Sequence, residues 1–409
     1  VFGCGDHNWI DTYQAVPTQL DAHLAAAGAN RLLDRAAGDS SADFDAAFNQ
    51  WESSLWELLA PDGGERTDSG ATLVGGADPE QLAYDLGLTT AVVASRRELQ
   101  RHWGSDSSER STVHLEIDLP DGVDYQAGDH MLVLPHNRGG DVRGAAALFG
   151  IKPGTLIRVH DPANREGDGS ELIDAYGLLQ THYHLSATAS RAAIGLLAQY
   201  VDGDNHADQL TALATDADRY QSEVLDKRVS LLDLAVTYPP SEPLPIAHLD
   251  QAFPTIKPRT YSISSAPASG ARRASLTVGV LEGPAASGMG TFHGTCSTYL
   301  ASLREDDEFF LKVKPPGPGF ALPDDADASV IMICAGTGIA PFRGFLQDLA
   351  ARHDGGDKVA PVVLIRGCRR SDHDHIYGDE IEAWVDQGWL TYHPAYSHEP
   401  GQEPRHVEA

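Results

Sequence analysis

The sequence predicts a multi-domain α/β protein that also carries an antiparallel β-barrel. Three observations predict it. The chain has 409 residues, too many for one hydrophobic core, so two to three domains are expected. Residues 112–119 alternate Val113, Leu115, Ile117 and Leu119 with His114, Glu116 and Asp118, the two-residue period of a half-buried strand. Residues 329–365 instead run as strand, glycine turn, helix and strand, the unit of a parallel sheet.

The elements follow in order. Val1-Phe2 reads as the end of a strand and residues 4–8 as a loop. Val16 to Leu24 reads as a helix, and Arg31 to Ala36 as a short strand. Phe44, Phe48, Trp51, Leu55 and Leu59 mark one face of an amphipathic helix stopped by Pro61. Residues 61–88 are rich in Gly, Asp, Thr and Pro and read as a linker. After the strand at 112–119, residues 131–134, 276–281 and 309–313 continue the strand pattern, and an antiparallel barrel fits them. Between roughly 141 and 250 the pattern turns mostly helical, as at 192–200 and 229–235.

Ser329 to Cys334 is a continuous apolar run, expected as a strand buried on both faces. The glycines of Ala335-Gly336-Thr337-Gly338 let the backbone turn tightly against a ligand. Pro341 suits a first helical turn, and Phe342, Phe345, Leu346 and Leu349 recur at helical spacing. Residues 361–365 and 389–393 supply the next strands.

The chemistry sits on two of these segments. Arg259-Thr260-Tyr261-Ser262, between Pro258 and Pro267, puts Arg259 and Tyr261 on one strand face. A guanidinium can fork onto a diphosphate while a tyrosine covers a flat ring beside it. A dinucleotide flavin needs this set. The Gly336 loop places free helix-terminal amides where a pyrophosphate can sit, although it is not the full six-residue dinucleotide fingerprint.

Other residues argue against alternatives. The cysteines stand at 4, 296, 334 and 368 with no paired spacing, so neither a disulfide scaffold nor a zinc site is suggested. Cys4, Cys296 and Cys334 read as small buried hydrophobes. His182-Tyr-His184 and His373-Asp-His375 lack a third ligand at metal-site spacing and read as solvated surface histidines. No metal is expected. Reduced thiols, no leader segment and no apolar stretch of membrane-spanning length suggest a cytoplasmic protein.

The order of motifs resembles the diflavin reductases: cytochrome P450 reductase and, in particular, the reductase half of bacterial self-sufficient P450 fusion enzymes. The matching stretches are 1–9, 125–130, 259–265, 294–300, 336–345 and 367–370. The resemblance implies the C-terminal part of a flavodoxin-like FMN domain over 1–60, a linker over 61–88, and a ferredoxin-reductase-type FAD barrel over 89–325. A helical connecting insert interrupts that barrel, and an incomplete parallel α/β NADP-binding domain covers 326–409. The chain is thus expected to be cut at both ends.

For the FMN site the resemblance implies Gly5, Asp6, Asn8 and Trp9, with the phosphate loop missing. For FAD it implies Arg259, Tyr261, Ser262, Thr277, Gly279, Gly294, Thr295, Cys296 and Ser297, with the Ser262 hydroxyl as the catalytic group near the reactive nitrogen. For NADPH it implies Gly336, Thr337, Gly338, Pro341, Cys368, Arg369, Ser397, His398 and Arg405. Relatives carry an arginine where His398 stands, which puts NADPH preference in question, with Arg369 and Arg405 as further candidates. The implied reaction carries hydride from NADPH to FAD and then single electrons through FMN to a haem-thiolate monooxygenase fused upstream. Sulfite reductase flavoprotein and nitric oxide synthase reductase domains are rivals within the family. A flavin-binding fragment without turnover is a rival outside it.

Charge sets a further constraint. The chain has 59 acids against 30 bases, a formal charge of −29, and lysine only at 152, 227, 257, 312, 314 and 358. Nucleic-acid binding wants a basic face and is excluded. Repulsion among so many carboxylates destabilises a compact state unless salt screens it, so a halophilic source fits. The Debye length falls from about 30 Å at 0.01 M to about 3 Å at 1 M salt. The melting temperature should therefore rise steeply between these two potassium chloride concentrations. Calorimetry that finds it indifferent to salt would reduce the acidity to a solubility feature.

Overall fold

A computed structural model describes residues 1–5, 12–39, 47, 51, 54–55, 67–74, 79–100, 110–160, 170–267, 272–317 and 319–407. At the N-terminus, strand β1 (Phe2–Gly5) pairs in parallel with β2 (Ala36–Asp39), and a helix, Ala15–Ala26, joins the two. The strand expected at 31–36 starts only at Ala36. Its arginines serve as ties instead: Arg31 bonds Asp21, and Arg35 bonds the Gln14 amide oxygen at 2.8 Å. Cys4 is exposed rather than buried. Trp51 is helical and its ring lies 5.3 Å from Phe2. Asp6, Asn8, Trp9, Phe44, Phe48 and Leu59 lie outside the described residues.

The stretch expected as linker carries two elements. Strand β3 (Thr67–Val74) pairs in parallel with β7 (Thr155–His160), which pairs with β8 (Ser170–Asp174). A helix, Pro79–Asp85, then buries Leu82 and Ala83.

Six strands form the antiparallel sheet, in the order β10-β5-β4-β13-β6-β9. They are β4 (Thr89–Glu98), β5 (Thr112–Asp118), β6 (His130–Val133), β9 (Arg259–Ser262), β10 (Arg273–Gly279) and β13 (Glu308–Lys314). On β5, Val113, Leu115 and Ile117 are fully buried and join Met131, Val133, Leu276 and Leu311 in one core. The other face is not solvated throughout as expected: His114 is buried against Tyr377, and only Glu116 and Asp118 are partly or fully open. The expected barrel does not close into a continuous ladder. The outer strands β9 and β10 meet only past Ser262, at the Ile263–Leu276 bridge and the Ser264 amide to Ser275 carbonyl bond of 2.7 Å. Strand β9 pairs along all four of its residues with β6 and ends at Ser262, so its other edge forms no ladder with β10.

The insert is mostly helical but also carries β7 and β8, and its own core holds Ile157 and Val159 of β7 with Leu178, Leu179, Leu185, Ile194, Leu197, Leu210 and Leu249. Local signals start its helices. Asp174 caps Ala175–Thr181, Ser190 caps Arg191–Ala198, and Ser230 with Asp233 forms a capping box for Leu231–Thr237.

The last unit is a parallel sheet, β14 (Val330–Ala335), β15 (Val362–Cys368) and β16 (Leu390–Tyr396), with helices Ile339–Asp354 and Gly378–Asp386. Met332, Phe345, Leu346, Leu349 and Leu364 form its core. Strand β14 is an edge strand buried on one face only: Ile331 is 66% and Ile333 54% exposed. The continuous apolar run therefore marks a face without cover among the described residues.

Arg343 joins this unit to the antiparallel sheet. It lies in the helix after the Gly336 loop and is 8% exposed. Its Nη1 donates to the Ser264 carbonyl at 2.7 Å, and its other edge forks onto Glu380 at 2.8 and 2.9 Å. Beside it, a Cβ on Gly344 would stand 2.9 Å from the Ser265 carbonyl oxygen, so only glycine lets the two backbones approach. No helix among the described residues is long and apolar enough to cross a membrane.

Candidate functional site

Strand β9 is held against β6 with Ser262 opposite His130 and Arg259 opposite Val133. This presents Arg259 and Tyr261 to a cleft of ≈ 750 Å³. The opposite wall is the start of the helix Thr295–Ser302, whose N-cap Gly294 offers no side-chain cap to the first-turn amides. A Cβ on Gly294 would meet Ser297 Oγ at 2.7 Å and Leu281 Cβ at 2.9 Å. Ser297 Oγ accepts the Leu281 amide at 3.1 Å and donates to the Gly294 carbonyl at 3.2 Å, which pins the turn. Thr295 Oγ1 is tied to Ser186 at 3.0 Å and to His184 at 3.3 Å. Cys296 is 4% exposed, and burial pushes its thiol up to about 12, so it is a packing group and not a nucleophile.

The structure adds residues to this cleft that sequence reasoning missed. Arg138, Lys227 and Arg228 from the insert line it together with Arg259. Four cations and uncapped helix amides are a donor set that fits a diphosphate. The one signal available was Lys227-Arg228, a basic pair in a lysine-poor, acidic chain.

A second cleft of ≈ 720 Å³ opens between the two units. Gly336, Thr337, Cys368, Arg369, Ser397 and Arg405 line one side, and Arg110, Thr112, Gly279 and Leu281 the other. Gly336 has φ +54, and the position a Cβ would take has no heavy atom within 4 Å, so the turn faces open space. Gly279 and Thr337 touch: a Cβ on Gly279 would stand 3.2 Å from Thr337 Cγ2. Leu281 lines both clefts, so they adjoin there.

Several expected residues stand elsewhere. Gly338 and Pro341 begin the helix behind the loop. His398 is not on the cleft wall; its Nδ1 meets Ser397 Oγ at 2.8 Å, and its amide donates to the Arg369 carbonyl. Ser262 lines neither cleft. Thr277 is 5% exposed, and its hydroxyl is engaged by the Tyr377 hydroxyl at 2.6 Å. The histidines read as solvated are not. His182 is buried against Tyr183, His184 lines the first cleft, and His375 bonds Tyr392 at 2.8 Å. His182 and His184 lie within the packed insert and at its contact with Thr295, and His375 lies within the parallel-sheet unit, which a local spacing cannot show. Among the described residues no three potential ligands form a metal cluster.

Comparison with known proteins assigns both units. A family model described as "FAD binding domain" matches residues 87–299, and one described as "Oxidoreductase NAD-binding domain" matches 332–405. The chain belongs to the FAD-binding domain family. This FAD-binding chain is 37% identical over its whole length to the "Bifunctional cytochrome P450/NADPH–P450 reductase 1" of Bacillus subtilis, spanning 39% of that protein. It is 35% identical over 97% of its length to a self-sufficient cytochrome P450 monooxygenase of Phanerodontia chrysosporium, spanning 38% of it. A bifunctional P450/reductase of Fusarium oxysporum is 31% identical over 97% of the chain, which spans 37% of that relative.

Buried histidines make the fold acid-sensitive. Burial, with the Arg343 and Arg97 charges adding, pushes His114 down to about 3. Burial and Arg259 push His184 to about 4, and burial also lowers His136, His182 and His375. Each is neutral in the fold but takes a proton near pH ~6.5 once unfolded. The unfolded chain then binds more protons, so stability is complete above pH ~6.5 and falls as pH drops toward the lowered values. The melting temperature should hold from about pH 8 to 7 and decline between about 6.5 and 5, above the range where most carboxylates titrate. A flat profile across that window would contradict this account.

Proposed function

We propose that this FAD-binding chain is the reductase part of a fused monooxygenase. It would take hydride from NADPH onto FAD and pass single electrons through an FMN unit to a haem-thiolate domain, the activity that the names of its relatives describe. The finer architecture belongs to the same reading: a flavodoxin-like end with Gly5, Asp6, Asn8 and Trp9 at FMN, a ferredoxin-reductase-type FAD unit, a connecting insert, and an NADP unit. The observation that carries it is the meeting of two clefts at Leu281, one with a diphosphate donor set and one beside a glycine loop. Hydride transfer requires two rings in contact, and only adjoining clefts allow it. The four free cysteines support a reducing compartment, the cytoplasm.

Each residue then has a task. Arg259, with Arg138, Lys227 and Arg228, neutralises the diphosphate, and Tyr261 covers the flat ring. Gly294 to Ser297 direct amides at the same phosphates. Gly279, lacking a side chain, lets Thr337 close against β10 and excludes water between the rings. Ser262 lines neither cleft but follows Tyr261 on β9, and its hydroxyl is proposed to lie near the reacting atoms once a ring is bound against Tyr261. FAD held by these residues would supply the conversion between a two-electron donor and one-electron acceptors. A sulfite-reductase-type acceptor is the second reading; the P450 names of the relatives favour the first.

NADPH added anaerobically to the FAD-loaded protein should bleach the flavin band in stopped flow. Failure to bleach would leave a flavin-binding protein without turnover. Ser262→Ala should slow that bleaching about 10²-fold, the usual loss of one proton-handling group, while leaving FAD content unchanged. An unchanged rate would remove Ser262 from the reaction.

The 2′-phosphate is assigned to Arg369 and Arg405, which line the cleft, in preference to His398, which does not. Arg369→Ala or Arg405→Ala should each raise the KM for NADPH roughly tenfold, the worth of one charged hydrogen bond, and leave the KM for NADH alone. His398→Arg should change neither. If only His398→Arg sharpens the preference for NADPH, the assignment reverses.

A further inference from the structure

Tyr377 stands in a conformation that its side chain does not favour. Its φ is +61, left-handed backbone, in a bulky residue that is 7% exposed. Few non-glycine residues occupy that region, and they persist only where the surroundings hold them. What holds it is a cluster between the two units. The hydroxyl meets Thr277 Oγ1 at 2.6 Å and His114 Nδ1 at 2.8 Å. Those two residues are direct register partners on β10 and β5, so one hydroxyl ties two adjacent strands of the flavin sheet. The Arg343 guanidinium lies over the ring at 4.5 Å while it forks onto Glu380, one turn further along.

The geometry has a direction. Thr277 is two residues from Gly279, where the Gly336 loop touches β10 through Thr337. Arg343 sits in the helix that this loop opens. The loop and its helix thus meet β10 at Gly279 and, through Arg343, at Ser275, and Tyr377 bonds Thr277 between those two points. Burial keeps His114 neutral, so its Nδ1 can accept the phenolic proton while Thr277 donates.

We propose that Tyr377 is a positioning residue for hydride transfer, holding the nicotinamide loop at a fixed distance from the flavin strand through His114 and Thr277. The proposal rests on the reductase reading above. Tyr377 touches no cofactor cleft and acts through the strand pair and Arg343.

The test compares Tyr377→Phe, Thr277→Val and Thr277→Ser in the FAD-loaded protein. Tyr377→Phe keeps the ring under Arg343 and removes both hydrogen bonds. At saturating NADPH, flavin reduction should slow roughly ten- to a hundredfold, since displacement by about 1 Å costs that much. KM and FAD content should stay within twofold. Thr277→Val should behave alike, and Thr277→Ser should restore the wild-type rate. The double variant Tyr377→Phe with Thr277→Val should be no slower than either alone, as for residues acting as one unit. Both single variants reducing at the wild-type rate, or losses that multiply, would overturn the proposal.

A second measurement needs no turnover and no cofactor. Hydrogen exchange of amides 336–345 should quicken in Tyr377→Phe and Thr277→Val but not in β13. Unchanged exchange would equally overturn the proposal. If the wild type itself is not reduced by NADPH, the functional reading fails while the exchange result still decides whether Tyr377 fixes the loop. Should Tyr377→Phe not fold, the two Thr277 variants carry both measurements.

Discussion

The Arg343 guanidinium has left water, and that is tolerated only where its N–H groups are met and its charge is opposed. The Ser264 carbonyl, Ser275 Oγ and the Glu380 carboxylate meet those terms, and they come from both units. Losing Glu380 would leave the charge unopposed in the interface, and losing the Ser264 carbonyl would leave a buried N–H unmet. The two units therefore pack in one relative placement, and both clefts inherit it. The neighbouring backbone enforces the same limit, because Gly344 packs directly on Ser265. Residues 264 and 265 follow directly from Tyr261 and Ser262, so the segment that lines the first cleft also supplies the surface on which the parallel-sheet unit rests.

Electrostatics divides the chain in a similar way. Its surface is strongly acidic, yet its expected ligands are phosphates. Arg138, Lys227, Arg228 and Arg259 are concentrated in one cleft, and Arg110, Arg369 and Arg405 in the other. Local cations overcome the net repulsion at short range, where little water separates the charges. At long range the field opposes an anionic coenzyme, and salt screens it.

What could be read from the sequence was periodic or motif-borne. The alternation on β5, the helix after Pro341 and the Arg259 and Gly336 segments were all visible as local patterns. Contacts between distant segments left no such trace. Arg138 and Arg228 reach the first cleft from an insert, and only the basic pair Lys227-Arg228 left any trace of it in the sequence. The apolar run of β14 predicts burial on two faces, but burial depends on neighbours, and Ile331 and Ile333 have none among the described residues. His182 and His375 read as surface groups because an isolated histidine carries no burial signal. Tyr377 was missed for the same reason: its partners lie 100 and 263 positions away.

The exposed face of β14 also has a colloidal meaning. Among the described residues β14 has no strand on its outer edge and presents Ile331 and Ile333, a template on which another strand can add. Natural sheets often guard such edges with charge placed on the strand itself, and β14 carries none. Here the guard is global: two copies at −29 repel before their edges meet. Salt then has two opposed effects. The screening that relieves repulsion within one molecule also removes the barrier between molecules. The ionic strength that best preserves the fold is thus also the one at which self-association by strand addition is least opposed.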